Sequence, residues 1–210
     1  MQTVKNIIFD FGNVLFDLDL PKIERGLRQF YGDQFEKATG QLRERQVFEL
    51  YETGGLSSEE FVDALRMAVT PHIAPEEVVN LWNSIFIEMP RHRFDMLLQL
   101  RQHYKVFMLS NINEIHADWI DAYMLREHGI DGFQSIYFDA VYYSHLIRLR
   151  KPHLEAYEYV LSDAEIKPEE SVFIDDLMPN IEAAEKVGIR GLWHEPGTEV
   201  AERLRDFLKP

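Results

Sequence analysis

The sequence predicts an α/β fold: a doubly wound, parallel, five-stranded, Rossmann-like core with an α-helical subdomain inserted after the first strand. Three observations lead there. Short β-rich apolar runs end in polar residues five times along the chain, and helical patterns separate the later ones. The stretch after the first run is too long for a simple crossover and carries helical patterns alone.

The first strand is Val4–Asp10, an apolar run closed by an acid and a Gly-containing turn in NIIFDFGNVL. From about Asp17 to about Met89 no strand is predicted. Helical patterns occupy Lys22–Tyr31, Gln34–Tyr51, Ser58–Val69 and Pro75–Phe86, with breaks at Thr53-Gly54-Gly55 and Thr70-Pro71. The aromatic residues Phe48, Tyr51 and Phe61 suit the core of this insert, and the segment from Tyr51 to Gly55 suits a substrate-facing loop. The core resumes with a helix over Arg91–His103, where Phe94, Leu97 and Leu98 are apolar, and a strand at Lys105–Ser110. A helix over Glu114–Glu127, a strand at Ala140–Ser144, a helix over Leu154–Ser162 and a strand at Ser171–Asp175 follow. The last pair is a helix over Asn180–Val187, stopped by Gly188, and a strand at Ile189–Trp193. The expected domains are therefore residues 1–16 with 90–210 as the core and residues 17–89 as the insert. The acidic pairs Glu59-Glu60, Glu76-Glu77 and Glu169-Glu170 fall in helix first turns or nearby loops, where dipole and capping effects account for them.

Composition narrows the function classes. The 210 residues, 46% hydrophobic and 28% charged, suffice for one domain or a core with an insert. No apolar run approaches the roughly 20 residues that span a bilayer, and no secretory leader pattern opens the sequence, so a cytoplasmic protein is expected. Without cysteine, metal chemistry must use oxygen or imidazole ligands. The eight histidines form no HxxxH or HxH pattern and are expected to be structural or superficial. A net charge of -14 argues against nucleic acid or an anionic membrane as partner. An anionic substrate would need local positive charge, with a bound cation as the natural source.

Four polar groupings fall where strands end or helices begin: Asp10, Ser110-Asn111, Lys151 within Arg150-Lys151-Pro152, and Asp175-Asp176. A parallel sheet brings its strand C-termini to one edge, so these groups should converge on one crevice. Carboxylates, a lysine, a hydroxyl and turn N–H groups together suit Mg²⁺ and a phosphoryl group. Magnesium prefers oxygen ligands and keeps several waters, and lysine adds a compact positive charge.

The segments FDFGNVL, VFMLSNIN, LRKP and VFIDDLMPNIEAA match, in order and spacing, the four motifs of the haloacid dehalogenase superfamily. The chain resembles its helical-cap phosphatases, and most of all the α-D-glucose-1-phosphate phosphatase-like group, whose first motif also reads Asp-x-Gly-Asn-Val. The resemblance implies that Asp10 is the nucleophile and forms an aspartyl-phosphate. It implies that Ser110 and Asn111 bind the transferring phosphoryl group, and that Lys151 holds Asp10 and the phosphate. Asp176 assisted by Asp175, Asp10, and the main-chain carbonyl of Gly12 would hold Mg²⁺. The expected partner is a small phosphorylated metabolite, such as a sugar 1-phosphate, met by a monomer or weak homodimer.

Two departures qualify this expectation. Most phosphatases of the superfamily carry an aspartate two residues after the nucleophile as general acid and base, and here that residue is Gly12. A second run with suitable acid spacing, Phe16-Asp17-Leu18-Asp19, is preceded by Asn13-Val14 rather than a clean strand. Asp17 and Asp19 are expected at the entry to the insert, with Asp19 contributing to the cap of the helix that Pro21 begins. The other departure is Arg148, where relatives usually carry glycine. Two alternatives follow: a metal-independent 2-haloacid-type dehalogenase, against which the paired acids argue, and a catalytically weak phosphate-binding or regulatory module.

Overall fold

The apolar run near the amino end forms a strand buried on both faces, β1 (Asn6–Phe9), at the centre of a parallel five-stranded sheet. The computed structural model describes residues 3–69 and 72–208, so the expected break at Thr70-Pro71 lies outside the described residues. The other core strands are β4 (Lys105–Ser110), β5 (Ala140–Tyr143), β6 (Ser171–Asp175) and β7 (Arg190–Trp193), in the order β5-β4-β1-β6-β7. Ile7 and Phe9 pack on one face with Val106 and Met108, whereas Ile8 packs on the other with Phe107, Leu109 and Phe173. Helices α6 (Arg91–Leu100), α7 (Glu114–His128), α10 (Leu154–Asp163) and α11 (Met178–Lys186) cover the sheet. Because β4 and β6 flank β1 on opposite sides, the order of strand addition reverses at β1 while all strands stay parallel, and the crevice of such a sheet opens at the C-terminal ends of these strands.

Among the described residues, five α-helices lie between β1 and α6: α1 (Pro21–Tyr31), α2 (Phe35–Glu44), α3 (Val47–Glu52), α4 (Ser58–Arg66) and α5 (Pro75–Asn83). They share an apolar cluster of their own, with Leu27, Leu42, Tyr51, Phe61, Leu65 and Trp82 among its members and Phe48 packed against it. Ser57 and Glu60 close a reciprocal capping box at the start of α4.

The structure departs from the sequence expectation in four places. The helix predicted over Gln34–Tyr51 is two, because buried Val47 follows buried Leu42 by five positions and a continuous helix would turn Val47 off the apolar face. Gln46 takes the left-handed conformation at the break, with φ 52. Second, the insert is entered and left through an antiparallel ribbon, β2 (Asp17–Leu18) with β3 (Phe86–Glu88), too short to show periodicity. Third, Asp19 does not cap α1: the N-cap is Leu20, without a side-chain bond, and Asp19 pairs with Arg25 at 2.6 Å. Fourth, three unpredicted helices appear: α8 (Phe133–Tyr137), α9 (Ser144–Ile147) and α12 (Val200–Leu208). Among the described residues no helix is long and apolar enough to cross a membrane.

Candidate active site

Strand register brings the predicted groups together. Phe9 lies opposite both Met108 and Ile174, so the next residue of each strand carries Asp10, Leu109 and Asp175 to one level, with Ser110 just beyond. The Asp10 amide donates to the Ile174 carbonyl at 2.8 Å, extending the ladder one residue past β1. Asp10 is 8% exposed, and Asp175 and Lys151 are 0% and 1% exposed.

Lys151 is the electrostatic centre. Its Nζ lies 2.7 Å from Asp10 Oδ1 and 2.7 Å from Asp175 Oδ2, and 5.2 Å from the centre of the Phe173 ring. Burial works against its charge, but the two carboxylates outweigh burial and hold its pKa above the ordinary lysine value. Asp10 shows the opposite balance: burial, aided by Asp175, pushes its pKa up to about 7 although Lys151 pulls it down. Asp176 is also raised, chiefly by burial and further by Asp175, while the Asn13 hydrogen bond opposes the shift. Gathering acids under these conditions is costly unless a cation joins them.

Oxygens of Asp10, Asp175 and Asp176 lie within 4.8 Å of one another. This hard, anionic oxygen set fits a divalent cation such as magnesium. Its members are not equivalent. Asp175 Oδ1 accepts from the Leu177 amide at 2.8 Å and Asn180 Nδ2 at 2.9 Å, while Oδ2 accepts from Lys151 and from Asn180 at 3.0 Å. These contacts fill the roughly four acceptor positions of a carboxylate, so Asp175 is built as a fixed anchor and Asp176 as the more available ligand. The turn's main-chain bonds run to the Phe11 and Phe16 carbonyls rather than to that of Gly12.

The remaining groups take distinct places. Ser110 ends β4 and is buried. The Asn111 side chain clamps the main chain of Lys151 from both ends, Nδ2 donating to the Lys151 carbonyl and Oδ1 accepting from its amide, each at 2.9 Å. Asn111 can therefore offer an incoming oxyanion its main-chain N–H while its amide aims Lys151. Arg148 takes φ 58, the left-handed conformation that glycine adopts without strain, after α9. At Gly12 a Cβ would lie 2.7 Å from Leu18 Cδ1, so an apolar side chain fills the space beside the turn. Asp17 is engaged elsewhere, at 2.7 Å from the buried Arg93.

The sequence reading missed Asn13, whose Nδ2 donates to Asp176 Oδ2 at 3.1 Å. Its signal was weak, an asparagine after glycine in a turn, where turn propensity alone accounts for it. The insert also touches the site loops. Ser144 Oγ donates to the Glu52 carbonyl at 2.7 Å, the Tyr51 hydroxyl accepts from the Ile115 amide at 3.0 Å, and Arg150 Nη2 lies 3.0 Å from Glu52 Oε2.

Comparison with known proteins places the chain in a family. A family model described as a haloacid dehalogenase-like hydrolase matches residues 4–188. The chain is 27% identical to a D-ribitol-5-phosphate phosphatase of Bacteroides thetaiotaomicron, over 98% of both chains. It is 29% identical to a sesquiterpene phosphatase of Aspergillus oryzae, covering 98% of this chain and 97% of the relative. The crystal structure of a HAD family enzyme from Bacteroides thetaiotaomicron, in complex with magnesium and inorganic phosphate, superposes with a TM-score of 0.83 at 30% identity, over 93% of this chain and 96% of that one.

Proposed function

The chain belongs to the haloacid dehalogenase-like hydrolases, and from that premise we propose that it is a magnesium-dependent phosphomonoesterase of a small phosphorylated metabolite. The observation that carries this reading is the buried Lys151 bridging Asp10 and Asp175 beside a third acid, Asp176. A carboxylate displacing halide from carbon has no use for a cluster of acids, whereas one facing a dianionic phosphate needs the cation that such a cluster binds. The phosphatase names and the magnesium and phosphate complex among the relatives support the same choice.

In this reading Asp10, Asp176 and the Gly12 carbonyl would hold magnesium, with Asp175 fixing the arrangement. Bound there, magnesium would offset charge on the phosphoryl oxygens. An oxygen of Asp10 attacks phosphorus, and the bond from phosphorus to the substrate alcohol breaks. Lys151, Ser110 and the Asn111 N–H stabilise the charge that develops on the phosphoryl group. Water then attacks phosphorus, the bond to Asp10 breaks, and inorganic phosphate leaves with the carboxylate restored. Residues 17–89 act as a cap that excludes bulk water and selects the alcohol.

Gly12 limits the alcohols this site turns over well. Without an acid at that position the departing oxygen leaves as an anion or takes its proton from water, which favours acidic alcohols. A sugar hydroxyl at the anomeric carbon is more acidic than an ordinary alcohol, so a sugar 1-phosphate suits the site better than a sugar 6-phosphate. Hydrolysis of p-nitrophenyl phosphate with and without Mg²⁺ tests the reaction class. Turnover should require the metal and fall to background in Asp10→Asn. Metal-free release of halide from a 2-haloacid, or Mg²⁺-dependent turnover surviving in Asp10→Asn, would overturn the assignment.

A further inference from the structure

We propose that Asn13 is a positioning residue that ties the hinge of the helical insert to the Asp176 carboxylate, so that cation binding and the position of the insert influence each other. This rests on the reading of Asp176 as a cation ligand. One amide group makes both connections: Asn13 Oδ1 accepts from the Leu18 amide at 3.2 Å, and Nδ2 donates to Asp176 Oδ2 at 3.1 Å. Leu18 belongs to β2 and pairs with Phe86 of β3, the strands through which the chain enters and leaves the insert.

The chain is pinned on the core side of this hinge, and at the next residue Asn13 holds the main-chain amide while the Leu18 side chain packs against the core cluster. Buried Arg93 donates to the Leu15 carbonyl at 3.0 Å and to Asp17 Oδ1 at 2.7 Å, pinning the chain to the core up to Asp17. Leu18 is the next residue, and its amide is the one held by Asn13. Because the side-chain amide is planar, a shift of Leu18 toward the insert rotates the same plane that orients Asp176. The backbone supports this placement: Asn13 takes φ 55, a conformation that asparagine tolerates better than most residues, and its own amide donates to the Phe16 carbonyl at 2.8 Å. A cation that prefers one orientation of Asp176 therefore favours one position of Leu18, and by reciprocity the hinge position changes cation affinity.

The conformation of Asn13 supplies a clean test. Glycine adopts a positive φ at least as readily, so Asn13→Gly removes the amide without straining the turn. A residue needed only for the turn predicts no loss in that variant. The positioning role predicts a Mg²⁺ affinity lower by about 10–100-fold in calorimetry, the usual effect of losing a partner of a metal-binding side chain. The second readout is hydrogen exchange at the Leu18 amide, with the β1 amides of the same sample reporting an intact core. Mg²⁺ should slow exchange at Leu18 in the wild type and leave it unchanged in Asn13→Gly. Wild-type affinity in Asn13→Gly, or exchange at Leu18 indifferent to Mg²⁺ in the wild type, would overturn the proposal. If Asp176→Ala lost Mg²⁺ binding while Asn13→Gly kept it, the metal site would stand and this inference alone would fall. Absence of Mg²⁺ binding by the wild type would remove both.

Discussion

Restoring an acid at position 12 separates the contribution of the missing proton donor from that of the rest of the site. A Cβ on Gly12 would lie 2.7 Å from Leu18 Cδ1, closer than unstrained carbons approach, so Gly12→Asp alone must push the end of the Leu18 side chain aside. The obstructing atom is the free end of a half-buried side chain rather than backbone, so the single variant should lose no more than about 1 kcal/mol, the low end of what overpacking costs in a core. Adding Leu18→Ala removes the obstructing methyls and makes room for the new carboxyl. A positioned general acid is worth about 10²–10⁴-fold, so the double variant should gain up to that factor on alkyl phosphates, whose alkoxides leave poorly. Aryl phosphates, which need little protonation, should gain far less. The assay is kcat/KM across a graded series of aryl and alkyl phosphates, with wild type, Leu18→Ala and the double variant compared. The wild type should show a steep dependence on leaving-group acidity and the double variant a shallow one. A flat dependence in the wild type would mean that another group already supplies the proton. No gain on alkyl phosphates in a double variant that still binds Mg²⁺ would equally refute the account of Gly12.

Other consequences are open to simpler measurements. Asp176→Ala should abolish Mg²⁺ binding by calorimetry yet raise the melting temperature in metal-free buffer, by about 2–4 °C for each kcal/mol of relieved burial and repulsion. Arg148→Gly should relieve the left-handed strain at φ 58 while removing an exposed side chain, and stabilise the chain by about 0.5–1 kcal/mol, read as a higher midpoint in urea. His116 is buried between α7 and the insert, its Nε2 2.9 Å from the Trp82 carbonyl and its ring stacked on Trp82, and burial lowers its pKa to about 4. Its depressed pKa makes the unfolded chain bind the extra proton first, so its contribution is complete above about pH 6.5 and is lost as pH falls toward 4. That loss is at most about 3 kcal/mol. The stability difference between wild type and His116→Gln should narrow across this window in urea titrations, and a constant difference would contradict the buried neutral imidazole.

What could be read in advance follows from the range over which each signal acts. The five core strands were legible because β1, β4 and β6 are covered on both faces, which forces continuous apolar runs such as Ile7–Phe9 and Val106–Leu109. The acids at their ends were legible for the same reason, since Asp10 and Asp175 each interrupt such a run. The ribbon of β2 and β3 was not, because two and three residues carry no period, and its partners stand on either side of the whole insert. The break between α2 and α3 left a trace, the five-residue step from Leu42 to Val47, which a continuous helical pattern obscures. Side-chain assignments were harder still. Asn111 carried a polar signal at a strand end, but its commitment to the main chain of Lys151 depends on a loop forty residues later. Asn13 is the extreme case, because both groups it serves, the Leu18 amide and Asp176, carry no mark at position 13 itself. A residue that works through others leaves its evidence at their positions, and the sheet must first bring those positions together.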